Sequence, residues 1–437
     1  AEPQLAAVDP LYALAPPEWI VASGAIPFLA ARNRSDWPEH EDFIDYQLVT
    51  SPNYEEWMNV YPNLLVAIEE TDFYGIYDYG DLPIDYEHYQ TQALNAKYYM
   101  VLGMWMQWAR DGDRRWRALA EAGGRHVADI DILHNLHSPR HWGDGIMFGH
   151  SMHDEDAFLN PHRNYNSGHP DLSFGVPGLM LTYYLTGYEK AWEAALELAD
   201  CIEYRLHNEG TLCDFFPEGE CSGKGYALGD VDGLYAANCR PAANALWIVV
   251  EAYRATGDAR YLTVADALVD WGRPADQPYI NDPTGADEEV RPWMLNMYLR
   301  ALAEYIQMRD EFALPDTYDA RGAFLGFANW LRTYPWLDIA PIAGGARGAY
   351  PYTWYFDGRA ENEEPSVNNW LLVGADVLAY AHRLSGEADY LERAARLFRA
   401  GAHDPFFEGD PNTYSQTKET VNSILWGQLF LEEWARR

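Results

Sequence analysis

The sequence predicts an all-α protein, an (α/α)6 toroid of six helical hairpins. Two observations carry this: a turn motif that recurs at near-constant spacing, and two alternating sets of helical segments that differ in how apolar they are. The motif reads ARDGDRRW at 109–116, YLTGYEKAW at 184–192, RATGDARYL at 254–262 and RLSGEADYL at 383–391. In each, an apolar segment ends at a glycine and an aromatic residue opens the next segment. Glycine tolerates the left-handed backbone that commonly ends a helix, and an acid beside it suits the start of the next one. Gly112, Gly187 and Gly257 are 75 and 70 residues apart, and the 129 residues to Gly386 make about two units. A fixed period of this length marks a repeat architecture.

The segments before the turns are Ala96–Arg110, Val176–Thr186, Ala243–Thr256, Trp293–Arg309, Asn369–Leu384 and Val421–Trp434. They are apolar on nearly every side, which predicts helices buried on every side. Their partners, Glu55–Glu69, Arg114–Asp131, Glu189–Arg205, Arg260–Trp271, Ala320–Thr333 and Ala388–Ala400, are amphipathic. Six buried and six half-buried helices predict an inner and an outer ring, in one domain spanning 1–437. Strand signals are weak and scattered.

The chain carries 67 acidic against 31 basic residues, a formal net charge of −36, and only four lysines, Lys97, Lys190, Lys224 and Lys418. Such a surface repels phosphate backbones, which argues against a nucleic-acid partner. It contains no long uncharged apolar run, so no membrane span is expected. Cys201, Cys213, Cys221 and Cys239 fall in one segment, where one or two loop disulfides would suit an oxidising compartment. With an opening AEPQ, as after removal of a signal peptide, this gives the expectation of a secreted or periplasmic protein. The sequence leaves the oligomeric state open.

Seventeen Trp, 31 Tyr and 16 Phe exceed what a core needs, and many lie in polar segments. Flat rings beside Asn, Asp and Arg suit sugar faces and hydroxyls. The long connections after the outer helices are the expected place for a site. In a toroid they open at the N-termini of the inner helices, where the helix dipoles are positive. Seven of the thirteen histidines fall in 134–169: His134, His137, His141, His150, His153, His162 and His169. Histidine is the usual base near neutral pH and a common metal ligand. His150, His153, Asp154 and Asp156 have a spacing that would admit Zn or Ca, although the chemistry expected below requires no cofactor. Segments 72–95, 224–240 and 344–370 add further polar and aromatic groups. From these, the expected sugar contacts are Asn95, His141, Trp142, Tyr165, Asn238, Arg347, Tyr352, Trp354 and Asn369. Dinucleotide, P-loop, nucleophile-elbow and HExxH signatures are absent.

The stretches YGIYDYGDLP, RHVADIDILH, RHWGDG and GHPDLSFGVPGLMLTYYLTGYEKAWEAALELAD resemble the helical domain of exo-rhamnogalacturonan lyase-like proteins, over roughly residues 15–205. That resemblance implies a polysaccharide lyase acting on a uronate by β-elimination. Toroidal lyases commonly move protons with His and Tyr and hold the carboxylate with Asn, His or Arg. On position along the chain, His169, Tyr226, Tyr235 and Arg240 are the expected catalytic set. A glycoside hydrolase using two carboxylates is the alternative, for which Asp78, Asp81, Asp144, Asp154, Asp230 and Asp232 are available. A non-catalytic glycan-binding protein is a third reading. It would keep the aromatics but would have no need for clustered histidines.

Overall fold

The computed structural model describes residues 15–48, 64–71, 79–80, 99–132, 134, 176–204, 240–272, 289–407 and 422–437. They are predominantly helical. The elements in chain order are α1 (Pro17–Ser23), α2 (Pro38–Leu48), α3 (Leu64–Thr71), α4 (Met100–Asp111), α5 (Arg114–His126), α6 (Val176–Thr186), α7 (Glu189–Tyr204), α8 (Arg240–Thr256), α9 (Ala259–Gly272), β1 (Glu289–Val290), α10 (Pro292–Glu311), α11 (Ala320–Thr333), β2 (Leu337–Ile342), β3 (Gly345–Ala349), β4 (Trp354–Tyr355), α12 (Trp370–Ser385), α13 (Ala388–Phe407) and α14 (Gln428–Ala435). A π-helical turn, Val127–Asp131, extends α5. Among the described residues no helix is long and apolar enough to cross a membrane.

The hairpin turns form as the glycines require. Gly112, Gly187, Gly257 and Gly386 lie at φ between 67° and 75°, and each N–H returns to the carbonyl four residues back, at 2.7–2.8 Å. A hydroxyl reinforces three of these turns. Thr186, Thr256 and Ser385 each donate to the carbonyl four residues back and accept the N–H two residues on. Asp113 accepts the N–H of Arg115 at 2.8 Å, and Asp258 that of Arg260 at 2.9 Å, which caps α5 and α9. The fifth turn, between α10 and α11, lacks glycine, and Ala313 takes the positive φ there, at 52°. That substitution hides one unit inside the 129-residue gap.

The apolar helices pack in succession, α4 on α6, α6 on α8, α8 on α10, α10 on α12 and α12 on α14. They carry most of the core, including Trp105, Leu246, Leu299 and Leu372. Ile424, just before α14, also meets α4. The Gln107 amide of α4 donates to the Ile424 carbonyl, and Gly103 lies so close to Ile424 that a Cβ would come within 2.7 Å of its Cγ1. The amphipathic helices α5, α7, α9, α11 and α13 each pack on the apolar helix before them.

Three features depart from the sequence expectation. The last apolar segment is met by α2 and the residue before it, and residues 55–63 of the expected Glu55–Glu69 partner lie outside the described residues. Trp37 meets Phe430 at 5.2 Å and Trp434 at 5.3 Å, and His40 Nε2 meets the Ser423 carbonyl at 3.2 Å. Of the expected segment, the described part is helical in α3. The helix expected over Val421–Trp434 breaks at Trp426–Gly427. The buried Asp376 carboxylate of α12 accepts the N–H groups of Gly427 and Phe430 at 2.9 and 3.0 Å, and so caps α14 from a neighbouring helix. Segment 334–368 contains an antiparallel pair, β2 with β3, and β4 pairs with β1.

Candidate functional site

Where α10 and α12 begin, two tryptophans occupy matching positions, one in each first turn. Trp293 and Trp370 pack with ring centroids 4.9 Å apart at 37°, and Tyr352 packs on Trp293 at 6.0 Å and 36°. The tryptophans are nearly buried, while Tyr352 is 52% exposed, so the three rings form the wall of a recess open to solvent. Asn368 shapes its rim. Its side-chain oxygen accepts the Trp370 N–H at 3.0 Å, and its amide donates to Ser366 Oγ at 3.1 Å.

Behind the rings lie two polar groups with no hydrogen-bond partner among the described residues. Asn296 is fully buried, yet neither Oδ1 nor Nδ2 is bonded, and the Tyr350 hydroxyl is likewise unbonded. Burial pushes the Tyr350 phenol far above its ordinary pKa, so it stays neutral. Leaving such a group unmatched costs about 1–3 kcal/mol, and the enclosed space beside them, about 10 Å³, is of the size one ordered water fills. Space for them depends on Gly374 of α12, where a Cβ would sit 3.1 Å from both Asn296 Nδ2 and the Tyr350 ring. No carboxylate or imidazole lines this recess among the described residues.

At the same end of α4, Tyr99 adopts φ 62°, a strained setting for a bulky residue. Its ring lies 4.4 Å from that of Trp247, and its hydroxyl donates to Asn244 Oδ1 of α8 at 3.0 Å.

The expected site residues divide as follows. Tyr352 stands in the recess. Asn369 sits beside it, buried, with its amide donating to Ser423 Oγ at 2.7 Å. Trp354 lies on β4 packed against Phe356 at 4.8 Å and Trp330 at 5.5 Å, away from the recess lining. Arg347 lies on β3 with Nε donating to the Ala340 carbonyl at 2.6 Å, within the strand pair. Arg240 opens α8, and its side chain lies outside the described residues. His169, Tyr226, Tyr235, Asn95, His141, Trp142, Tyr165 and Asn238 lie outside them too, as do the candidate metal ligands His150, His153, Asp154 and Asp156. Of the histidine cluster, His134 is described. It bonds Glu197 and the Ala128 carbonyl, tying the end of the π-helical turn to α7.

Sequence reasoning placed Trp293 and Trp370 in apolar helices and did not single out Asn296 or Tyr350. The usable signal was the matched PWMLN and NWLLV openings, each setting a tryptophan at a helix N-terminus.

No family model and no curated relative matches the sequence. Among solved structures, the chain is similar to a sugar epimerase from a ruminal bacterium. The two share 12% identity over 83% of this chain and 96% of that one, with a TM-score of 0.49.

Proposed function

We propose that this chain is a secreted carbohydrate-active enzyme, a single (α/α)6 toroid whose glycan lies across the N-terminal ends of α10 and α12. The observation that carries the reading is the Trp293–Trp370–Tyr352 wall backed by the unbonded Asn296 amide and Tyr350 hydroxyl. Rings stack on the C–H faces of sugars, and an amide and a phenol match hydroxyls that both donate and accept. The succession α4 to α14 and the meeting of Gln107 with Ile424 support the toroid.

Within that class the favoured reaction is polysaccharide lysis of a uronate-containing glycan by β-elimination. Its support is the histidine-rich segment before α6 and the Tyr- and Arg-bearing segment before α8. In this scheme His169 takes the C5 proton and the C4–O bond breaks as the C4–C5 double bond forms. Tyr226 or Tyr235 returns a proton to the leaving oxygen. Arg240 or Asn238 holds the substrate carboxylate, so that charge developing at C5 is neutralised. A divalent ion, where one takes part, falls to His150, His153, Asp154 and Asp156.

Digestion of a panel of uronate polysaccharides tests the proposal. An ultraviolet-absorbing unsaturated product marks the lyase, and new reducing ends without that absorbance mark the hydrolase. Glycan binding with neither product would reduce the protein to a binding module.

A further inference from the structure

A cavity of about 430 Å³ lies at the other end of the helices. Its mouth is made by Tyr184, Glu311 and Phe312, at the C-terminal ends of α6 and α10, and by residues 24–27. Trp247 and Arg300, midway along α8 and α10, form its floor. The cavity volume is far more than the roughly 10–15 Å³ of such space that one water needs.

A chain of ion pairs runs along one wall. Arg300 Nη1 bonds Glu304 Oε1 at 2.7 Å, and Arg254 Nη1 bonds Glu304 Oε2 at 2.7 Å and Glu251 Oε1 at 2.5 Å. Arg254 Nε bonds Glu311 Oε2 at 3.0 Å. The chain leaves hydrogen-bonding capacity unused. The Arg300 side chain is 5% exposed, its Nε has no hydrogen bond, and its hydrogen bond among the described residues runs from Nη1. Phe28 and Trp247 hold its guanidinium from 4.6 and 4.9 Å, so its orientation is fixed. The second carboxylate oxygens of Glu251 and Glu311 accept nothing among the described residues.

This inventory selects a ligand class. Glu251, Glu304 and Glu311, with Asp376 4.0 Å from Arg300 Nε behind the lining, stand against Arg254 and Arg300, an acidic excess that disfavours an anion. A cation would leave the Arg300 donors unmatched and face two guanidiniums. A hydroxyl donates and accepts at once, and so can satisfy Arg300 and the carboxylates together. Burial raises the Glu251 carboxyl above its ordinary pKa, with Arg254 opposing and Glu304 adding. Met106, Met180 and the Tyr184 ring supply apolar surface for C–H faces.

We propose that this cavity binds a neutral polyhydroxylated molecule of about monosaccharide size, at a site separate from the tryptophan recess. The inference is independent of the lyase reading. The test is calorimetric titration of the full chain with neutral methyl hexosides, glucuronate and glucosamine, each on the wild type and on Tyr184→Ala, Leu181→Trp and Trp370→Ala. A neutral hexoside is expected to bind saturably, at least about tenfold tighter than either charged sugar, a gap of about 1.4 kcal/mol. Leu181 lines the cavity beside Met180; Leu181→Trp, which fills it, and Tyr184→Ala are expected to weaken binding at least about tenfold, and Trp370→Ala to leave it unchanged. Tyr184 is 56% exposed, so its truncation leaves the fold intact, which a thermal melt checks. Three outcomes overturn the proposal: no neutral hexoside saturates, a charged sugar binds as tightly, or binding depends on Trp370 and not on Leu181. Polysaccharide turnover is read separately, so failure here and failure of the enzymatic reading are distinguishable.

Discussion

The Gln107 side chain of α4 donates a hydrogen bond to the backbone carbonyl of Ile424, 317 residues further along the chain. That bond and the close approach of Gly103 to Ile424 join the last apolar segment to the first. Gly103→Ala is therefore expected to destabilise the protein. Overpacking typically costs about 1–3 kcal/mol, and the helix propensity of alanine returns about 1 kcal/mol. A net loss near 1 kcal/mol should appear in chemical denaturation. A gain in stability would show that the contact is loose.

Asn296 makes opposite demands on stability and binding. Asn296→Leu removes two unmatched buried polar atoms and fills a similar volume. It should stabilise the free protein by about 1–3 kcal/mol while weakening glycan binding. Tyr352→Ala, at an exposed position, should weaken binding about tenfold with an unchanged melting temperature. A lower melting temperature for Asn296→Leu would count against an empty sugar-binding amide.

The catalytic assignment makes a kinetic prediction. On a confirmed substrate, His169→Ala and Tyr226→Phe should each lower turnover by about 10²–10⁴-fold. Near wild-type turnover in both would move attention to the acids of 72–95 and 144–156.

Stability should be almost flat in pH between about 4 and 6, because two buried groups oppose each other there. Burial lowers His40 to about 4, with Glu41 opposing and Arg110 adding. As pH falls through 6.5 the unfolded chain binds that proton first, and stability is lost down to about 4. Burial raises Asp376 to about 6, against Arg300 and the backbone N–H groups of α14. The folded state then binds the proton more tightly, so stability present below 3.8 is lost as pH rises through about 6. Burial would raise Glu41, but Arg110, His40 and Arg32 outweigh it and hold it at about 2. A steep acid loss should therefore follow below about 4.5. Denaturation midpoints across pH check this: His40→Gln should leave stability falling from pH 4 to 6, and Asp376→Asn should leave it rising. Each slope approaches about 1.4 kcal/mol per pH unit.

The hairpins were legible because a left-handed turn needs glycine and because a helix buried on all sides is apolar on all sides. Helix α2 was not, since its buried face includes His40 and Glu41. Glu41 bonds Arg110 at 2.6 Å, and an ion pair on the inner face erases the apolar stripe that periodicity detects. The break at Gly427 depends on Asp376, 51 residues earlier, a distance no local pattern reports. The recess shows the same limit. Trp293 and Trp370 look like core from the sequence, and what distinguishes them is their meeting at adjacent helix starts. Asn296 is one polar residue in an apolar helix, and its missing partners become visible only in three dimensions.

The link from residue 107 to residue 424 also sets a schedule for synthesis. At about 5–20 residues per second, the ribosome needs roughly 15–60 s to make the segment that covers the Gly103 face of α4. Throughout that interval the nascent chain presents an apolar seam with no cover. The molecule's exposure to aggregation is therefore greatest before translation of residues 422–435, and a chaperone that holds that seam should matter more to its yield than any single contact in the finished fold.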